Sequence, residues 1–158
     1  MNVNECFIIG TTRFNDETYK ENLDWRIKHN HNGCIYPLNK KIADSIPSNM
    51  LICVLEMNNS QNKIMGIGLI RNHYDMRQRI RVYNSDLNYN RFVYHSNKRI
   101  SCDDIKYKKM ISVLEKIVFT GARHMKRGQG ITCIQWETFP KIKTRKTLTL
   151  FFQALFSE

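Results

Sequence analysis

MLICVLEM (Met50–Met57), the polar turn NNSQN (Asn58–Asn62) and IMGIGLI (Ile64–Ile70) decide the fold. The first run is apolar almost throughout, and so little alternation reads as a strand buried on both faces. A short polar connection to a second apolar run makes residues 50–70 a β-hairpin. Side chains on a strand alternate between faces, so Gly66 and Gly68 share one face of the second strand. A face without side chains lets another backbone, a helix or a ligand approach closely, or lets the sheet of a small barrel bend.

Upstream, CFIIG (Cys6–Gly10) reads as a short buried strand. Asn15 or Asp16 can cap a helix that runs to about His29. Tyr19, Leu23 and Ile27, spaced by four, form its apolar stripe. Trp25 falls nearly opposite that stripe, at about 100° per residue, and so packs against a later segment or faces an open site. CIYP (Cys34–Pro37) reads as a short extended piece. Downstream, RIRVY (Arg79–Tyr83) and RFVYHS (Arg91–Ser96) suggest a second strand pair. Alternation would set Arg77, Arg79 and Arg81 on one sheet face. Residues 104–119 form an amphipathic helix whose broad face carries Tyr107, Met110, Ile111, Val113, Leu114, Ile117 and Val118. ITCIQW (Ile131–Trp136) is a final strand. Residues 146–158 are an apolar tail expected to be a helix docked on this domain or on another protein.

The chain has 158 residues with no repeat and no Pro-rich or Gly/Ser-rich linker, so residues 1–158 are read as a single domain. At this length roughly two-thirds of the unfolded surface can be buried. The content of 42% apolar and 11% aromatic residues argues against disorder. No run of about 18 apolar residues is present to span a membrane. The opening MNVNECFIIGTTRFND has no basic region before its short apolar stretch, unlike a secretory signal. Cys6, Cys34, Cys53, Cys102 and Cys133 are scattered, odd in number and never paired as CxxC. Reduced thiols in a cytoplasmic or nuclear setting fit that pattern, and no metal site or cofactor is expected.

The net charge of +11 points to a polyanionic partner. It is unevenly spread: residues 1–50 carry six basic and six acidic side chains, while residues 51–158 carry all of the excess. Two clusters, 71–99 and 123–146, hold most of it. The loop TGARHMKRGQGIT (Thr120–Thr132) sets Arg123, His124, Lys126 and Arg127 among glycines, a composition that suits an anion-binding nest of backbone N–H groups. It is neither a P-loop nor a dinucleotide fingerprint. No catalytic residue is assigned. A phosphodiesterase or nuclease would have to use His124 beside Glu137 or Glu56.

The order of CFIIG, a helix bearing Trp25, CIY, LICVLEM, a polar turn and IMGIGLI resembles the front half of PUA-like domains. The EVE and YTH branches are nearest, over about residues 5–72. The specific piece is the strand, the turn and the G-x-G strand. Where the YTH pattern carries a tryptophan after the helix, this chain reads GCIY, with Cys34 and Tyr36. The resemblance implies an α+β domain, a small, mostly antiparallel PUA-like β-barrel with flanking helices. It also implies nucleic-acid binding, often of a modified base in an aromatic cage. The Asn-rich strands and KRGQGIT loop look like small proteins of nucleocytoplasmic large DNA viruses, which would place the chain in a virion or host cytoplasm.

The resulting expectation is a non-catalytic domain that binds RNA or DNA. Arg77, Arg79 and Arg81 would contact phosphates. Arg123, Lys126, Arg127, Gly128 and Gly130 would form a second phosphate contact. Trp25, Tyr36, Tyr83 and Tyr94 would supply base stacking. The alternative is an assembly protein that meets an acidic partner through the basic face and a second protein, or a copy of itself, through Leu148–Phe156. A modified-base site requires the Gly66–Gly68 face, Trp25 and the 123–130 loop to converge on one pocket. On separate surfaces they leave a diffuse polyanion binder.

Overall fold

The computed structural model describes residues 1, 6–76, 79–136, 139 and 142–157. The 50–70 hairpin forms as read: β3 (Leu51–Asn58) pairs antiparallel with β4 (Lys63–Arg71). β1 (Phe7–Phe14) extends four residues beyond the expected run and lies parallel to β3, joined to it through α1 (Asp16–Lys28) and β2 (Cys34–Leu38). β6 (Arg99–Ser101) and β7 (Thr132–Ile134) add antiparallel edges, giving a mixed sheet in the order β6-β4-β3-β1-β7. β2 pairs with β5 (Phe92–Ser96) in a separate two-stranded ladder.

Every residue of β3 is buried, because the sheet is covered on both sides. Leu51, Cys53, Leu55 and Met57 point into one core, under α2 (Lys108–Phe119) and α3 (Ile142–Leu155). Ile52 and Val54 point into a second core with Tyr36, Val93 and Tyr94 of the β2–β5 ladder. The domain is therefore α+β, with the five-stranded sheet between a helical layer and the small ladder.

Three expectations change. The described strands do not close into a barrel. RIRVY forms no strand: Asn90 Oδ1 accepts from Val82 N and Tyr83 N, both at 2.9 Å, and Asn90 Nδ2 donates to Tyr83 O. A side chain thus satisfies the backbone groups that a strand partner would have taken. The shared face predicted for Arg79 and Arg81 is lost with the strand, and Arg77 lies outside the described residues.

The α1 stripe is the second change. Ile27 is 69% exposed, and the helix buries Asn22 and Arg26 instead. Asn22 Nδ2 donates to Ile35 O at 2.8 Å and to Tyr83 Oη at 3.3 Å, and Arg26 Nε donates to Asn22 Oδ1. Asn22 faces the core because the core offers it partners, and it in turn holds Arg26, whose Nη2 is buried without a partner.

Thirdly, the helix expected over 104–119 begins at Lys108. Cys102–Asp104 instead forms a 3-10 turn, and Tyr107 stands exposed as the N-cap. The tail takes the first of its two expected places, as a helix docked on this domain. Leu148, Phe151, Phe152 and Phe156 are buried in the core of this same domain, so those side chains are not available to another protein.

The Gly66–Gly68 face is filled from within. A Cβ at Gly68 would overlap Tyr36 Oη and Cys34 Sγ, and one at Gly66 would overlap the Arg99 and Glu56 side chains. On this one face Gly68 admits the β2 strand and Gly66 admits a buried ion pair, as close approach to a strand requires.

Candidate nucleic-acid interface

The basic side chains are organised by α1 and by the irregular segment that runs beside it. Asn15 caps α1: its Oδ1 accepts from Thr18 N at 2.8 Å, while Thr18 Oγ1 accepts from Asn15 N at 3.0 Å. This reciprocal box fixes where the helix starts. One turn further, Glu21 anchors the segment: Oε1 accepts from Asn84 N and Ser85 N, and Oε2 from Ser85 Oγ. The anchor separates two cavities, both lined by α1 and by residues between 79 and 89.

The broader cavity, about 900 Å³ and open, lies along the C-terminal half of α1. Its lining brings together Trp25, Lys28, His29, Arg79 and Arg81. Trp25 stacks on His29 with ring centroids 4.1 Å apart, and His31 meets the indole edge at 5.8 Å. The two carboxylates in the lining are already engaged. Glu21 holds the 84–85 backbone, and Asp24 pairs with Lys20 at 2.6 Å. Arg79 and Arg81 are exposed and have no carboxylate partner among the described residues. The lining sets Lys28, Arg79 and Arg81 against Glu21 and Asp24, so cationic side chains outnumber carboxylates by one.

The narrower cavity, about 390 Å³, lies at the N-terminal end of α1. Gly128, Gln129 and Gly130 line it, together with Arg13. Arg13 went unnoticed in the sequence, and it organises the 125–132 connection. Its Nη1 donates to Met125 O at 3.0 Å and to Thr11 Oγ1, and its Nη2 donates to Gly130 O and Thr132 Oγ1. All of these acceptors are neutral. Burial without a counter-charge lowers the guanidinium pKa to about 10. Gly128 packs on the guanidinium, where a Cβ would collide with it, and Gly130 takes φ +66°. An arginine hydrogen-bonded to carbonyls more than a hundred residues away leaves no local pattern that a sequence reading could have found.

The predicted residues thus divide. Arg79, Arg81 and Trp25 meet in one cavity. Gly128 and Gly130 line the other, while Arg123, Lys126 and Arg127 lie on the connection leading to it. Tyr36 and Tyr94 are each 1% exposed and Tyr83 is 6% exposed. Tyr36 Oη donates to Glu56 Oε1 at 2.8 Å, and Tyr94 Oη accepts from Ile42 N. Rings packed and tethered in this way present no face for a base, so those three stacking assignments give way to Trp25 alone. The Gly66–Gly68 face, Trp25 and the loop do not converge, and the modified-base site that required their convergence is withdrawn. Glu56 cannot serve His124, because Arg99 and Tyr36 hold its carboxylate in the core, and Glu137 lies outside the described residues.

Among the described residues no group of three or more His, Cys, Asp or Glu could hold a metal ion, and no helix is long and apolar enough to cross a membrane. No family model, curated protein or solved structure matches the chain.

Proposed function

We propose that this domain binds RNA or DNA without catalysing a reaction on it, through the cavity along the C-terminal half of α1. The observation that carries the reading is the meeting of Trp25 with Arg79, Arg81 and Lys28 in one open lining. Arginines supply charge-assisted contacts to phosphate oxygens, and an indole supplies a stacking surface that every base can use. The excess of positive charge after residue 50 would add long-range attraction. The remaining PUA-like feature is the β3–turn–β4 hairpin with α1 and β2 before it, and it supports that likeness for the front half of the chain.

Trp25→Ala tests the reading. Loss of a stacked base costs about 1–3 kcal/mol, so a single-stranded oligonucleotide should bind roughly 5- to 150-fold more weakly. Unchanged affinity in a fluorescence-anisotropy titration would remove Trp25 from the interface.

A further inference from the structure

The 390 Å³ cavity at the N-terminal end of α1 takes no part in the proposed interface, and its chemistry is of a different kind. Its size lies within the range of small-molecule sites. One part of the lining favours an anion. Arg13 has no carboxylate partner among the described residues; its four Nη hydrogens are engaged by Thr11, Met125, Gly130 and Thr132, which leaves the Nε–H and the positive charge itself for an anion. Beside it, the backbone N–H groups of Gly128, Gln129 and Gly130 donate to no protein acceptor among the described residues. Free consecutive N–H groups next to a fixed positive charge make an anion-binding concavity.

The rest of the lining would not suit a bare anion. Glu17 and Asp86 both reach the cavity. Asp86 already accepts from Asn88 N at 3.0 Å, whereas Glu17 has no partner among the described residues. Glu17 is exposed, and its carboxylate is free to accept hydrogen bonds from a ligand as well as from water. Leu38 and the exposed Tyr89 add apolar and aromatic surface. The occupant that suits this lining is anionic at one end, rich in donors elsewhere, and partly flat and apolar.

We propose that this cavity holds a single nucleotide with a terminal phosphate, its phosphate at Arg13 and the Gly128–Gly130 amides and its sugar or base N–H and O–H groups toward Glu17. The nucleotide can be free, or it can be the phosphorylated end of a strand. The assignment does not depend on the reading of the Trp25 cavity.

Isothermal titration of the full chain at low salt with a 5′-nucleoside monophosphate, its nucleoside and inorganic phosphate tests this. The monophosphate should saturate and bind about tenfold or more tightly than either of the others, as a charge-assisted contact to phosphate implies. Gln129→Glu places a carboxylate on the exposed loop without touching the core. It should weaken the monophosphate about tenfold and leave the nucleoside unchanged. Arg79→Glu/Arg81→Glu should leave monophosphate binding intact, which separates this site from the other cavity. No saturable binding, a nucleoside that binds as well as its monophosphate, or indifference to Gln129→Glu overturns the proposal. A 5′-phosphorylated oligonucleotide that outcompetes the free monophosphate identifies the strand end as the source, and equal competition identifies the free nucleotide.

Discussion

Arg99 grips Glu56 with two hydrogen bonds, Nε to Oε1 at 2.9 Å and Nη2 to Oε2 at 2.7 Å, and the two side chains are only 8% and 3% exposed. The pair sits where Gly66 leaves room for it, at a register shift between Leu55 and Met57 that marks a bulge in the β3–β4 ladder. Burial alone would lower the Arg99 pKa, but the adjacent Glu56 carboxylate outweighs it and holds the guanidinium above the ordinary arginine range. Tyr36 then donates to the same carboxylate and ties β2 to the main sheet.

Removing one partner should be far worse than removing both. Arg99→Met strands a buried carboxylate and should cost about 3–5 kcal/mol in urea unfolding. Arg99→Met with Glu56→Met removes both charges and should recover more than half of that loss. A double variant as unstable as the sum of the single ones would mean that the pair is not a closed unit.

The tail gives a second prediction. Phe152 is fully buried against Phe7 and Phe151, with ring centroids 5.9 and 5.2 Å away. Phe152→Ala should lower stability by about 3–5 kcal/mol. Leu150→Ala, at a position 60% exposed, should change it by no more than about 0.5 kcal/mol. Equal and small effects in thermal unfolding would show that α3 does not belong to this core.

These residues also show what the sequence made legible. The β3–β4 hairpin could be read because both runs are continuous and apolar and the turn between them is polar. The helix over Lys108–Phe119 could be read because its apolar period matches its burial, with Ile111, Leu114 and Val118 inside. α1 misled because its buried face is Asn22 and Arg26: Asn22 finds its partners, Ile35 and Tyr83, outside the helix, and Arg26 bonds to Asn22. The 79–83 segment alternates like a strand, yet the Asn90 side chain takes its backbone groups. Arg13 stood at the end of a strand with nothing nearby to mark it. In each failure a polar side chain found partners outside its own element, and hydrophobic periodicity does not record such contacts.

Thiol chemistry supplies the pH prediction. Burial pushes the Cys34 thiol up to about 11, the Cys102 thiol up to about 12 and the Cys133 thiol up to about 11, whereas Cys6 is exposed. A folded-state pKa raised above the unfolded value favours folding at lower pH. That contribution is complete below about pH 8.5 and is lost as pH rises toward the folded values. Unfolding free energy should therefore fall between about pH 8.5 and 11. At pH 8 a thiol reagent should label Cys6 rapidly and label Cys34 and Cys53 only with unfolding. Rapid labelling of Cys34 or Cys53 in the folded protein would contradict their burial.

The central claim is that the cavity shared by Trp25, Arg79 and Arg81 holds a nucleic-acid strand. The most direct measurement is the salt dependence of oligonucleotide binding for the wild-type chain and for Arg79→Glu/Arg81→Glu. If about six phosphates are engaged, the log–log slope should be about −5 on a duplex and about −4 on a single strand. The double variant should bind more weakly and should reduce the magnitude of the slope by about one to two. A wild-type slope near zero, or a double variant with the wild-type slope and affinity, would contradict the account.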